Sequence, residues 1–161
     1  MFYCGSYARI DGNSACVDTG EIKISFKKLY TSFVYSCSVL TFNFNSNQNY
    51  MAHVDALGEN MELKLYESLK NLPLNTVSEF NIYYGSLCKG DCKEHCRCKS
   101  MSIIRNVFVK LGLEKRKINE YNLDVWQTEV SIPEEKFNNN GTKSIIPSSD
   151  RIFLNTPNGT F

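Results

Sequence analysis

The sequence predicts one α+β domain in which a mixed, mostly antiparallel sheet is covered by two helices. Three observations carry this. Short runs alternate polar and apolar residues at the period of a strand, as residues 21–26 (EIKISF) do. Two longer runs, 57–72 and 100–112, space apolar residues three and four apart, which makes one face of a helix. No repeat or linker divides the 161 residues, whose 42% hydrophobic content suffices for one core.

Residues 1–20 read as an N-terminal extension in which Asp11-Gly12-Asn13 is a turn signal and Cys4 and Cys16 are structural or incidental thiols. Residues 21–161 form the domain proper. Its first strand puts Ile22, Ile24 and Phe26 on one face and closes at Lys27 and Lys28. After Cys37 the run Val39, Leu40, Phe42 and Phe44 predicts a strand, the polar cluster 43–49 contains a turn, and Tyr50, Met51, Ala52 and Val54 begin a return strand. The helix at 57–72 presents Met61, Leu65, Leu69 and Leu72, and Pro73 ends it. Residues 61–66 also alternate, but Glu, Lys and Leu are good helix formers and β-branched residues are missing.

A strand at 79–84 leads into a Cys-rich insertion, about 86–99, with Cys88, Cys92, Cys96, Cys98 and His95. Four thiolates so close can wrap a tetrahedral zinc, although the spacing is not one of the common C-x2-C pairs. Reduced free thiols, and a disulfide or redox-sensing loop, fit the same residues, and a protein partner docking on this loop is a further expectation. In the second helix Ser100 or Ser102 is the candidate cap, Ile103, Ile104, Val107, Phe108 and Leu111 form the apolar stripe, and Gly112 is placed to stop it. Lys115-Arg116-Lys117 is a solvated turn or an anionic contact. Residues 121–132, with the only tryptophan, Trp126, predict one long strand or two. A loop at 138–141, a strand at 151–154 and a turn at 157–159 finish the chain.

A formal charge of +1 implies neither a nucleic-acid nor a membrane partner. No stretch has the apolar length of a membrane span, and Met1-Phe2-Tyr3-Cys4 lacks the basic and apolar regions of a signal peptide, so the expected location is cytoplasmic, with the Asn140 and Asn158 sequons unused. Seven cysteines, an odd number, without a secretory signal argue against a disulfide framework.

The chemistry centres on Cys37 and His53. The hairpin carries Cys37 at the head of one strand and returns His53, 16 residues later, beside it. A thiol needs such a partner, because the thiolate is the competent nucleophile and an unperturbed Cys is mostly protonated at pH 7. The plain alternative is a buried structural thiol and a structural histidine.

Leu29-x-Thr31, Ser36-Cys37 and Met51-Ala52-His53 occur in an order that resembles the CheD-like chemoreceptor glutamine deamidases, with the threonine six residues before the cysteine. FNIYYG at 80–85 resembles that family's glycine-ended strand, and Arg105-Asn106 resembles its helix-opening pair. The resemblance implies a Thr31–Cys37–His53 triad, a protein substrate bearing an exposed glutamine, and no catalytic cofactor. The cytotoxic necrotizing factor toxins use similar Cys/His geometry. The pattern departs from the family at Phe33-Val34-Tyr35, which replaces a glycine-rich loop, at Asn49 and Tyr50, where a glycine would precede the histidine, and at Asp55-Ala56, which replaces Leu-Pro. Two other readings stay open: an N-terminal asparagine amidohydrolase, which His53-x-Asp55 fits, and a non-catalytic interaction or assembly protein on the same fold.

Overall fold

A computed structural model of the chain describes residues 4, 13–45, 47–86, 99–124, 128–133, 135–137 and 143–145. Its layers follow from strand parity. In β4 (Ser38–Phe44) and β5 (Gln48–Val54) the even-numbered side chains face one way and the odd-numbered ones the other, because successive strand residues alternate across a sheet. Leu40, Phe42, Tyr50, Ala52 and Val54 therefore share the face that the helices α1 (Met61–Leu69) and α2 (Lys99–Lys110) cover, through Leu65, Leu69, Ile104 and Phe108. Phe42 stacks on Tyr50 at 4.4 Å and meets Phe80 edge-on at 5.0 Å, geometries that ring quadrupoles favour.

Val39 and Met51 face the other way, onto a second core with Leu29, Val130 and Ile132. That core is closed by a small sheet in which β3 (Lys28–Thr31) lies between β1 (Ser14–Cys16), parallel to it, and β8 (Val130–Ile132), antiparallel. The central sheet has five strands, ordered β2 (Ile22–Ser25), β5, β4, β6 (Phe80–Tyr84), β7 (Ile118–Asn122). Only its β6–β7 ladder is parallel. β9 (Glu135–Phe137) and β10 (Lys143–Ile145) form a separate antiparallel pair. The fold is thus the expected α+β one, with a mostly antiparallel sheet and two helices.

The local signals act as their chemistry requires. Asn45 takes a left-handed φ of 49° in the hairpin turn, a conformation asparagine tolerates. Gly112, at φ +69°, ends α2: its N–H donates to the Val109 carbonyl at 3.1 Å and that of Leu113 to Phe108 at 2.8 Å, the two bonds of a Schellman motif. α1 is shorter than its apolar period, since Asp55 accepts the Leu57 N–H at 3.0 Å and turns the chain, leaving Leu57 exposed.

Other expectations need correction. Cys4 and Cys16 form a disulfide, where the odd cysteine count had argued against one. β1 and β3 are strands of their own, too short for a periodicity test. Ile24 and Phe26 are exposed although the alternation puts them on one face with Ile22: β2 is the edge strand of the sheet, and Phe26 lies past its end at Ser25. Ser100 does not serve as a cap and instead bonds across to the hairpin. In the basic run Lys115 and Lys117 are exposed and Lys117 pairs with Glu79 at 3.3 Å, whereas Arg116 is half-buried: its guanidinium donates to the carbonyls of Leu74 and Val77 and lies 5.6 Å from the Phe80 ring centre. Arg105 and Asn106 lie mid-helix and pair with Glu120 and Glu62. Of residues 121–132, the two ends belong to β7 and β8. Trp126, the Cys-rich insertion with its four candidate zinc ligands, the 138–141 loop and the 151–154 strand lie outside the described residues.

Candidate functional site

β4 and β5 set the geometry of the candidate site. Val39 stands directly opposite His53 in the ladder, and Cys37 precedes Val39 by two residues, so thiol and imidazole lie on one face at a diagonal of the hairpin. That face is the second core. His53 is fully buried and Cys37 is 8% exposed. The backbone of His53 points away from β4: its N–H donates to Glu21 at 3.0 Å and its carbonyl accepts from Gly20 at 2.8 Å.

Thr31 completes the arrangement from β3. Its Oγ1 lies 2.7 Å from His53 Nδ1 and also 2.7 Å from the Val17 carbonyl oxygen. A hydroxyl has one proton. The carbonyl can only accept, so Thr31 donates to Val17 and must accept from Nδ1. Nδ1 therefore carries the imidazole proton, and Nε2 is left as the basic nitrogen. Among the described residues, that buried Nε2 has no hydrogen-bond partner. An acceptor with no partner in an apolar interior is costly, which makes this atom the least satisfied point of the core.

One residue of the segment before Cys37 takes a conformation that glycine favours. Phe33 takes a φ of 58°, left-handed, at the place where the resembled family uses a glycine-rich loop. Val34 is buried and its N–H donates to Thr128 at 3.2 Å, which pins the loop while Phe33 and Tyr35 stay exposed. The Tyr35 backbone then crosses Gly85 so closely that a Cβ there would lie 2.1 Å from the Tyr35 oxygen. The Gly85 N–H donates to the Cys37 carbonyl at 3.1 Å. From the other face Ser100 gives its proton to the Ser36 carbonyl at 3.2 Å, so the Ser38 hydroxyl donates to Ser100, at 2.8 Å. Residues 36 to 38 are held on both faces of the sheet. Of these supports the sequence pointed to Gly85 alone, through the glycine ending FNIYYG; the Val17 carbonyl is backbone and leaves no mark in a residue pattern.

Burial favours the neutral form of both side chains at pH 7. Burial, and then the Asp55 carboxylate, push the Cys37 thiol up to about 12, against a hydrogen bond from Ser36. Burial pushes the His53 imidazole down to about 4, against the Asp18 carboxylate. Of a preformed thiolate–imidazolium pair and a neutral thiol with a neutral imidazole, these shifts favour the second.

Among the described residues no cluster of three His, Cys, Asp or Glu side chains is arranged to hold a metal, and no helix is long and apolar enough to cross a membrane. A surface depression of about 620 Å³ between α1 and α2, lined by Glu62, Tyr66 and Lys110, is remote from the thiol, on the helix face of the sheet. No protein-family model and no curated protein matches the chain.

Proposed function

We propose that the protein is a cysteine-dependent protein-glutamine deamidase of the CheD-like kind, with Cys37 as nucleophile, His53 as general base and acid, and Thr31 as the residue that orients it. The observation that carries this is the fixed tautomer: Thr31 holds the proton on Nδ1 and leaves a buried Nε2 lone pair on the face that bears, among the described residues, the only thiol of the second core.

With both groups neutral, the proton moves during attack rather than before it. As Sγ bonds to the carboxamide carbon of a glutamine side chain, the thiol proton passes to Nε2 and the carbonyl oxygen becomes an oxyanion. The Ser36 and Cys37 N–H groups, which donate to no backbone carbonyl among the described residues, are the donors for it. The C–N bond then breaks as Nε2–H protonates the leaving nitrogen, releasing ammonia and a thioester. Water gives a proton to Nε2 and attacks the thioester carbon, the C–S bond breaks, and sulfur recovers the proton. Glutamate is left. Thr31 is uncharged, so it orients the ring and adds little to the stability of the imidazolium.

In this reading the substrate is a protein with an exposed glutamine, catalysis uses no metal, and the enzyme acts in the cytoplasm, where a disulfide such as Cys4–Cys16 is usually redox-sensing. A structural zinc on Cys88, Cys92, Cys96 and Cys98, and a protein partner docking there, are proposals resting on the spacing of those cysteines alone. Metal analysis of protein purified without chelator tests the zinc.

The test of activity is conversion of glutamine to glutamate in a host lysate, read by mass spectrometry as a gain of about one mass unit per site. The wild type should produce it, while Cys37→Ala and His53→Gln should not. The near-complete burial of Cys37 and its raised pKa favour a second reading, a non-catalytic assembly protein on the same fold. Conversion that survives Cys37→Ala, or that the wild type never produces, leaves that one standing.

A further inference from the structure

Among the described residues, the peptide unit between Ser36 and Cys37 is held at one point. Its carbonyl oxygen accepts from Ser100 Oγ at 3.2 Å, and its N–H, that of Cys37, donates to no backbone carbonyl. The peptide planes on either side are set by Gly85. The Tyr35 carbonyl packs against that residue and leaves no room for a Cβ, and the Cys37 carbonyl accepts the Gly85 N–H at 3.1 Å. The plane between them depends on Ser100.

Ser100 is a stiff donor. It lies in the first turn of α2, fully buried, and the same helix sinks Met101, Ile104, Val107 and Phe108 into the larger core. Its one hydroxyl proton goes to Ser36 and its oxygen accepts from Ser38, so its rotamer is fixed from both sides. Its influence reaches the thiol side of the sheet through the peptide bond itself. That bond is planar and trans, so the carbonyl and N–H of one unit point in opposite directions. Holding the Ser36 oxygen towards α2 turns the Cys37 N–H away from α2, to the side on which Cys37 joins the second core. Without that tie the plane can rotate about the two single bonds that flank it, ψ of Ser36 and φ of Cys37, and breaks no other hydrogen bond in doing so.

We propose that Ser100 is a positioning residue that aims the Cys37 N–H to the thiol side of the sheet, where it serves as the oxyanion donor. A donor of this kind acts by being directed before charge develops, so a plane that has to be reoriented during attack forfeits most of its effect. The oxyanion role rests on the deamidase reading. The aim of the N–H does not.

Three variants separate the carbonyl tie from packing. Ser100→Ala removes the donor to Ser36 and orphans the Ser38 hydroxyl, Ser38→Ala removes a hydroxyl from the same cluster and leaves the Ser100–Ser36 bond, and the double variant removes donor and orphan together. Orientation is read as backbone N–H residual dipolar couplings in a weakly aligning medium. In both variants that lack the Ser100 hydroxyl the Cys37 coupling should depart from its wild-type value, while those of Leu40, Ala52 and Ile82 in the sheet stay; Ser38→Ala should leave all four. An unchanged Cys37 coupling overturns the proposal. So do couplings that change throughout the sheet, since Ser100 would then be a general part of the core.

The consequence is read as ammonia release from a blocked glutaminyl-glycine dipeptide. Because an oxyanion donor acts on the transition state, Ser100→Ala and the double variant should lower kcat about tenfold to a hundredfold and change KM by less than about twofold, with Ser38→Ala close to wild type. An undiminished kcat in a variant whose Cys37 coupling has shifted overturns the oxyanion role, as does a kcat that recovers in the double variant, which would trace the defect to the orphaned Ser38 hydroxyl. A wild type that releases no ammonia, with the coupling still shifted in Ser100→Ala, sinks the deamidase reading and leaves the aim of the N–H intact.

Discussion

His53 enters the fold as a neutral base, and this has a thermodynamic signature. Its folded pKa is lowered to about 4 by burial, while in the unfolded chain it returns to about 6.5. Between these values the unfolded chain binds a proton that the folded one refuses. Stability from this residue is therefore fully present above about pH 6.5, falls as the pH drops towards 4, and changes no further below that. The span is on the order of 3 kcal/mol. Carboxylates titrate in the same window, so the measurement is a difference: denaturant unfolding of wild type and His53→Gln at pH 7 and pH 4.5, where the wild type should lose more stability than the variant. Equal losses would mean that His53 is hydrated and paired when folded, which removes the free Nε2 on which the mechanism depends. Thr31, Cys37 and His53 come together as a set only through the resemblance to the CheD-like pattern, since the Cys37/His53 spacing by itself fits a structural thiol and histidine equally. Their protonation states are not legible in the sequence, because burial and the Val17 carbonyl decide those.

At the level of elements, the hairpin, both helices and the FNIYYG strand were legible because each repeats a period over enough residues to be counted. β1 and β3 span three and four residues, and neither gives a period. Their place is fixed by pairing partners distant in sequence, as in the β3–β8 ladder that joins Leu29 to Ile132. The loop before Cys37 shows the same limit: nothing in Phe33-Val34-Tyr35 marks the left-handed φ of Phe33 or the close passage of the Tyr35 backbone over Gly85. Two alanine substitutions separate conformation from space. Gly112→Ala meets nothing within 4 Å but must sit at φ +69°, so it should cost about 1 kcal/mol and leave activity per folded molecule unchanged. Gly85→Ala puts a Cβ 2.1 Å from a backbone oxygen that cannot swing aside. It must displace the Tyr35–Cys37 segment, cost about 1–3 kcal/mol as overpacking does, and reduce deamidation as well. A Gly85→Ala protein with full activity would show that the segment's path is not what sets the nucleophile.

Across the whole molecule one five-stranded sheet divides two cores, and parity assigns every residue of the central hairpin to one or the other. The core under the helices is the larger and contains no group of the proposed mechanism; the smaller one is made by the β1–β3–β8 sheet and contains Cys37, with His53 and Thr31 buried at its edge. Stability and chemistry should therefore come apart along the sheet. Leu65→Ala and Met51→Ala each remove a fully buried side chain, one from each core, and each should cost about 2–5 kcal/mol depending on how far the site collapses. Their effects on function should differ. Leu65 lies on α1, across the sheet from the thiol, so the folded fraction of Leu65→Ala should keep wild-type deamidation and an unshifted His53 tautomer. Met51 packs in the cluster that includes Val39 and Cys37, and its loss opens space beside the diagonal that relates thiol and imidazole. Because a misplacement of about 1 Å can cost on the order of a hundredfold in rate, the folded fraction of Met51→Ala should lose activity out of proportion to its lost stability. Activity normalised to folded protein, measured for both variants at a temperature where each is fully native, is the comparison that decides: equal specific activities would mean that the two faces are not separated as the parity of β4 and β5 requires.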